Sequence, residues 1–397
     1  MLPAVIKEPL KKVYFAYLEI KAHRESVKSD RKAQSALIHH EIIKQRDRRA
    51  RKIYSTVCFT DEQKKAIDEL YLANYGEKVP YIWHQRYTAY TGQFDACYFP
   101  ELLYIPEFEY YMNMDKAYCR AFSDKNVIPV FAKLAGVSIP RTIVSCTKGL
   151  YRDGAYNAIS KEQAVRLIEK SGGGVFVKPS VDACSGHGCM KLSALDDLLT
   201  VIDGLGVDFV VQDIIKCHSS IEKIYSGSVN TFRIITYRWK DQFLHMPIIM
   251  RIGQGGNYLD NAHAGGMFIA VDDDGILHKT AFTEFRNSYD KHPDTGVVFE
   301  GYRVSGVDKV IQAAEKMHYA IPQIGCVNWD FTVDQEGNAI LIEANMSSGS
   351  IWLIQMAHGC GAFGETTPDV LRWLRKMKET PIEERYLYSF GNTDFKG

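Results

Sequence analysis

Two short apolar runs in the last quarter of the chain limit its fold more than any other stretch. The first, Gly325-Cys-Val-Asn-Trp-Asp-Phe-Thr-Val-Asp, places a single acid, Asp330, inside an apolar sequence. The second, Ile340-Leu-Ile-Glu-Ala-Asn-Met-Ser-Ser-Gly, carries Glu343 and Asn345. Residues two apart on a strand share a face, so Glu343 and Asn345 point the same way, and Asp330 joins them from a neighbouring strand. Three hard oxygen donors in one place suit Mg²⁺, which prefers octahedral oxygen and completes its shell with water and phosphates. The lysines and glycines upstream decide what this constellation means.

At 397 residues the chain is long enough for two or three domains. Its formal charge is zero, so global charge offers no argument for nucleic acid or a membrane. The N-terminus lacks the apolar core of a signal peptide, and no run is long enough to span a bilayer. The nine cysteines are scattered with no C-x₂-C pair, which argues against zinc or a disulfide framework and points to a reducing, cytoplasmic setting.

Residues 9–55 read as helix with a basic excess of roughly +8. Val13, Leu18, Leu37, Ile38, Ile42 and Ile43 supply an apolar side, so a solvated helix packed on the body is expected ahead of a contact surface for an anionic partner. Thr60 with Gln63 marks the start of a second helix, which Gly76 stops. The aromatic stretch 80–114 is expected to pack against a neighbouring domain. From about 115 short β runs alternate with helices. Strands are expected over 142–145, 174–178, 208–213, 231–237, 244–251, 267–271, 327–333 and 339–343, and helices over 161–170, 193–199, 307–317 and 368–378. Ser160 and Ser305 sit at helix starts. The mixture is α+β. It divides into a helical N-terminal region, 1–114, and a region 115–397, itself split into 160–215 and 216–397.

Val175-Phe-Val-Lys178-Pro is a strand leading into a loop, Ser185-Gly186-x-Gly188, and a return run. Glycines let backbone N–H groups approach phosphate oxygens, and Lys178 adds a point charge. The glycine spacing is not that of a Walker loop, and a strand follows where that loop has a helix. A plain β-hairpin has a similar pattern. The apolar strand ending at Gln212-Asp213-Ile214-Ile215 can present its backbone to an adenine edge, and Lys125 supplies a further cation. Arg251 ends the apolar run Pro247-Ile-Ile-Met, where a buried guanidinium needs an anion, expected to be phosphate. His263 lies in a polar glycine-rich loop. His218 and the run Lys291-His-Pro-Asp are expected at the surface. Trp329 is expected in the core opposite Asp330, and Trp352 is also expected to pack.

The order of these pieces resembles the ATP-grasp superfamily over about 115–365. Asn230-Thr-Phe-Arg233-Ile, Asn261-Ala-His-Ala-Gly-Gly and Asn345-Met-Ser-Ser-Gly349 look like blocks of glutamate-ligase-type members. Tyr104-Ile-Pro-Glu with Ser123-Asp-Lys-Asn, and Ser228-Val-Asn-Thr-Phe-Arg, look closer to the sugar-transfer-associated ATP-grasp subgroup. The resemblance implies an ATP-grasp fold with an N-terminal helical extension. It also implies that Lys125 and Lys178 hold ATP phosphates under a lid of Ser185, Gly186 and Gly188. Residues Gln212, Asp213, Ile214 and Ile215 would meet the adenine, and Glu222 the ribose. Arg251 would meet the transferring phosphoryl group, and Arg233 and Asn261 the acceptor. From its own place in the loop, His263 either deprotonates an incoming amine or structures the loop. Asp330, Glu343 and Asn345 would hold two Mg²⁺ ions, with Mn²⁺ as the alternative. The implied activity is an ADP-forming carboxylate–amine ligase working through an acyl phosphate, which joins an amino acid to a uronic-acid sugar in surface polysaccharide synthesis. A phosphotransferase on the same fold and a non-catalytic nucleotide-binding partner protein are the alternatives.

Overall fold

The computed structural model describes residues 4–171, 174–181, 188–192, 201–202, 204 and 208–392. The expected lid residues Ser185 and Gly186 and the expected helix 193–199 lie outside the described residues.

Six strands form the first sheet: β1 (Thr142–Thr147), β2 (Leu150–Asp153), β3 (Ala158–Ile159), β4 (Val175–Pro179), β5 (Met190–Leu192) and β6 (Asp208–Asp213). Their order is β3-β2-β1-β6-β4-β5, every pair antiparallel. The helix Lys161–Lys170 is held at its start by a capping box, in which Ser160 and Gln163 each accept from the other's backbone N–H. Its Ala164, Val165 and Ile168 pack with Val144, Phe209 and Val211 in one small core.

Eight strands form the second sheet: β7 (Thr231–Trp239), β8 (Gln242–His245), β9 (Ile248–Ile252), β10 (Met267–Val271), β11 (Ala281–Thr283), β12 (Ser288–Tyr289), β13 (Cys326–Val333) and β14 (Ala339–Asn345). The order is β12-β11-β10-β9-β7-β13-β14, with β8 also paired to β7. All eight residues of β13 are buried because both faces of this sheet are covered. One face carries Phe232, Ile234, Val327, Trp329 and Phe331 against the helix Val307–Ala320. The other carries Ile235, Tyr237 and Phe268 against aromatic residues from 83–111 and the helices Trp352–His358 and Thr367–Glu379. Trp329 is fully buried opposite Asp330, as expected, and its indole N–H donates to Thr236 Oγ1 at 2.7 Å.

Several expectations are corrected. The run 244–251 is two strands, because Pro247 has no N–H to continue the ladder with β7. The helix expected over 9–55 is two, Ala4–Gln45 and Arg48–Tyr54, the second capped by Asp47, which accepts from Arg49 and Ala50 N–H. Of its expected apolar side only Leu37 and Ile38 are partly covered, and Ile42 and Ile43 are exposed. Val13 and Leu18 remain exposed, with Tyr14, Phe15, Tyr17 and Ile20 beside them. Helix Val307–Ala320 begins after Gly306 without a side-chain cap from Ser305. His292 is fully buried, not at the surface. Its ring stacks on Tyr225 with centroids 5.2 Å apart, Nε2 lies 2.9 Å from Gly253 O, and Asp294 N–H donates to Nδ1. No helix among the described residues is long and apolar enough to cross a membrane.

Residues 101–112 are one helical stretch whose middle turn, Tyr104–Glu109, is widened to the π form around Pro106, which lacks an N–H. Phe108 on that turn meets Tyr104, Tyr237, Phe363 and Trp373, with ring centroids 4.7–5.9 Å apart. It therefore ties the N-terminal region to the large sheet and to the C-terminal helix. Replacing it with Ala removes a buried ring from an interdigitated core and is expected to cost about 3–5 kcal/mol. Urea unfolding followed by tryptophan fluorescence measures this, and a loss under about 1 kcal/mol would show that the cluster repacks.

Candidate active site

Register brings the site together. β13 pairs with β7 so that Asp330 lies opposite Arg233, and with β14 so that Asp330 lies opposite Glu343 and Asn328 opposite Asn345. β9 places Arg251 opposite Thr231. Arg233 grips Asp330 with two parallel bonds, Nε to Oδ1 and NH2 to Oδ2, each 2.8 Å. Arg251 NH2 stands 3.1 Å from Asp330 Oδ2 and also donates to Thr231 Oγ1, while NH1 donates to Asn261 Oδ1 at 2.9 Å. Asp260, 3.6 Å from Arg251, accepts from the Thr231 N–H and hydroxyl. Burial pushes the Asp330 carboxyl up, but the two guanidiniums outweigh it and hold the group below its ordinary value. For Asp260 burial wins over Arg251, and its carboxyl lies above the ordinary value. Two carboxylates, Asp260 and Asp330, therefore stand against Arg251.

From the opposite side the first sheet contributes Lys178 on β4, whose ammonium donates to Ile342 O on β14 at 3.2 Å. Lys125 Nζ meets Glu343 Oε1 at 2.9 Å, and its backbone N–H donates to Ser180 O. The two lysines thus bridge the sheets. Burial, and next the neighbouring Lys125 charge, push the Lys178 ammonium down to about 8. Gln212 donates weakly toward Pro140 O and Thr142 Oγ1, and Asp213 holds Arg141 through two bonds.

A cleft of about 320 Å³ opens between the sheets. Lys125, Lys178, Gln212, Asp213, Ile214 and Ile215 line it on one side. Arg233, Arg251, Asn261, His263, Asp330, Glu343 and Asn345 line it on the other. Gly188 and Glu222, both expected at the site, are not among the lining residues. A side chain on Gly188, which has φ +75°, would come within 2.8 Å of Pro179 Cγ.

The sequence reading missed Thr231, Asp260, Asn328 and Ser347–Ser350, which line the cleft. Trp352 packs against the core, as expected, and also lines the cleft. Spacing could have found two of them: Thr231 and Asn328 stand two residues before Arg233 and Asp330 and so share their faces. Asn328 is fully buried, and neither atom of its amide has a partner. Gly349 lies against it, and a Cβ there would sit 2.0 Å from Asn328 Nδ2, so only glycine fits. His263 is exposed in the turn Ala262–Ala264, with Nδ1 2.9 Å from Glu284 Oε2 and its ring 6.0 Å from Trp352. The guanidinium of Arg86 lies 5.3 Å from the same indole.

No cluster of three His, Cys, Asp or Glu among the described residues is set to hold a metal. The oxygen-only set still fits Mg²⁺, which needs one or two carboxylates when phosphates and water complete its shell. Glu343 and Asn345 face the cleft together, with one Glu343 oxygen on Lys125. Both Asp330 oxygens are engaged by guanidiniums.

Two sheets gripping a lysine-bridged cleft form an ATP-grasp fold. The sequence profile of the sugar-transfer-associated ATP-grasp family matches residues 106–368, well over half of the chain, and the chain belongs to that family. A search of curated protein sequences gives no match. Solved structures that it resembles include N5-carboxyaminoimidazole synthase from Aspergillus clavatus with ADP and an aminoimidazole ribonucleotide (12% identity, TM-score 0.36, 59% of this chain and 47% of that one). Others are the VanG D-Ala:D-Ser ligase from Enterococcus faecalis (16%, 0.39, 64% and 62%) and the ATP-grasp ligase PsnB with its minimal precursor, Mg and ADP (15%, 0.40, 67% and 62%). The chain spans less than two thirds of each of these structures.

A phosphate beside Lys178 favours its charged form, so nucleotide affinity is expected to be full well below the pH where the free ammonium titrates, about 8, and to weaken above it. Lys178→Arg keeps its charge throughout and should flatten that profile. Titrating ADP by calorimetry from about pH 6.5 to about pH 9 tests this, and parallel profiles for the two proteins would exclude Lys178 as the titrating group.

Proposed function

We propose that this protein is an ADP-forming, ATP-dependent carboxylate–amine ligase. The observation that carries the reading is the cleft itself: Lys125 and Lys178 bridge the sheets, Arg233 and Arg251 stand opposite, and Glu343 and Asn345 lie between. In this reading Lys125 and Lys178 bind phosphate oxygens, and Gln212, Asp213, Ile214 and Ile215 receive the adenine. Residues 115–397 form the catalytic region, with 160–215 bearing the lid that includes Gly188. Residues 1–114 form the helical extension. Glu343 and Asn345 would hold Mg²⁺, with Asp330 beside them on the neighbouring strand. An ion held there would supply charge neutralisation to the transferring phosphoryl group.

The acid's carboxylate oxygen attacks the γ-phosphorus, the bond to the β-γ bridging oxygen breaks, and ADP leaves. Arg251 and Arg233 stabilise the negative charge spread over the group in flight. The amine then attacks the carbonyl carbon of the acyl phosphate, loses a proton, and inorganic phosphate departs. His263 takes that proton, and Glu284 on Nδ1 fixes which ring nitrogen stays free. Asn261 holds Arg251 in place through Oδ1. Acyl phosphates hydrolyse, so the cleft must exclude water while the intermediate lives. The family's association with sugar transfer is the ground for proposing an acid carried by a sugar. On this proposal a uronic acid is joined to an amino acid during surface polysaccharide synthesis.

Hydroxylamine intercepts an acyl phosphate as a hydroxamate, whereas a phosphotransferase leaves a phosphoester. Wild-type protein with ATP, Mg²⁺ and a uronic acid is therefore expected to yield hydroxamate together with ADP. Glu343→Gln should cut turnover by about 10²–10³-fold. The variant's melting temperature should stay within about 4 °C of wild type, since Glu343 is partly solvated. ADP release with a phosphoester product would move the protein to the phosphotransferase class, and near-normal turnover in the variant would remove Glu343 from the metal site.

A further inference from the structure

The loop that follows Asn345 is held from outside both sheets. Its residues Ser347–Ser350 line the cleft, and Gly349 covers the amide of Asn328. Glu109, on the widened turn, accepts the Ser348 N–H on Oε2 at 2.7 Å and the Gly349 N–H on Oε1 at 2.8 Å. Glu101 accepts both the Ile351 N–H, at 2.8 Å, and the Ser350 hydroxyl, at 2.9 Å, on the single oxygen Oε1, while Oε2 has no partner. Asn113 closes the stretch: its amide donates to Cys326 O and Met346 O and accepts from the Gly325 and Cys326 N–H groups. The motif Tyr104-Ile-Pro-Glu that marks the subgroup lies in the middle of this segment, with the Tyr104 hydroxyl 3.3 Å from Cys326 Sγ.

These carboxylates are costly to bury. Glu101 and Glu109 are 3% and 4% exposed, and neither forms an ion pair among the described residues. Burial raises both carboxyls above their ordinary value, and the groups that hold them in place are the N–H and O–H donors they accept. Ser348, with φ +57°, adopts the left-handed conformation that lets successive N–H groups converge on one anion. A loop that needed only to cover apolar surface would not require two buried carboxyl groups.

We propose that Glu109 and Glu101 are positioning residues of the cleft: they fix the loop after Asn345, and the metal end of the site takes its binding geometry only when residues 101–113 are docked. This rests on the metal-assisted nucleotide reading above. The family's sheets alone do not complete the site; a segment that precedes them in the chain does.

The oxygen usage gives a sharp test. Glu109→Gln replaces one of two required acceptors by an NH₂ group facing an N–H, so it should release the loop. Glu101→Gln retains Oε1, the oxygen that makes both contacts, and should behave as wild type. Glu101→Ala removes it and should resemble Glu109→Gln. The readout is ADP affinity by calorimetry in EDTA and in Mg²⁺, with amide hydrogen exchange over 346–351. Affinity in EDTA should be equal in all four proteins, because the adenine side is untouched. The gain on adding Mg²⁺ should fall about tenfold in Glu109→Gln and Glu101→Ala, with faster exchange at 348–351. Should Glu109→Gln fail to fold, the comparison of Glu101→Ala with Glu101→Gln decides. A full Mg²⁺ gain in Glu101→Ala, or equal losses in Glu101→Ala and Glu101→Gln, would overturn the proposal. Absence of any Mg²⁺ gain in the wild type would instead overturn the metal reading.

Discussion

The pairing of Asp330 with Arg233 and Arg251 governs how the large sheet can be built. All three groups are out of water or nearly so, and a buried charge without its partner is strongly destabilising. Arg233 is on β7, Arg251 on β9 and Asp330 on β13, so the three strands must align for the charges to meet. A slip of one residue would turn Asp330 into the core that holds Trp329, and a slip of two would leave both guanidiniums without their carboxylate. The same residues that suit phosphate chemistry therefore specify strand register, and the polar face of the cleft is a by-product of correct alignment.

That arrangement also sets the site's charge. Two guanidiniums and two ammoniums converge on a cleft where Asp330 is already committed and Glu343 shares an oxygen with Lys125. A polyanion entering it meets cations whose orientation is settled beforehand, which lowers the reorganisation needed at the moment of reaction.

Much of this was legible because it depends on alternation and local chemistry. The bounds of β6 and β10 follow from apolar runs closed by polar or glycine-rich flanks, and the starts at Thr60 and Ser160 follow from capping boxes. The face shared by Asp330, Glu343 and Asn345 follows from a period of two. What stayed hidden depends on contacts distant in sequence. His292 looks like a surface residue until Tyr225 and Gly253 are folded against it. Glu101, Glu109 and Asn113 read as polar residues in an aromatic helix, since nothing local shows that they bind residues more than two hundred positions away. The carboxylates beside Arg251 stayed hidden for the same reason: Asp330 reaches it from β13 and Asp260 from the loop after β9.

The core shared by residues 53–112 and the last helices has a consequence for the order in which the chain is made. Trp83, Tyr87, Phe99 and Phe108 leave the ribosome early, whereas Tyr237, Phe363 and Trp373, which cover part of the same core, are added much later. At synthesis rates of about 5–20 residues per second that interval lasts about 10–60 seconds. Throughout it the aromatic surface of the first hundred residues lacks the part of its native cover that Phe363 and Trp373 supply. The N-terminal region of this protein therefore reaches its full burial only after the final core helix has been made.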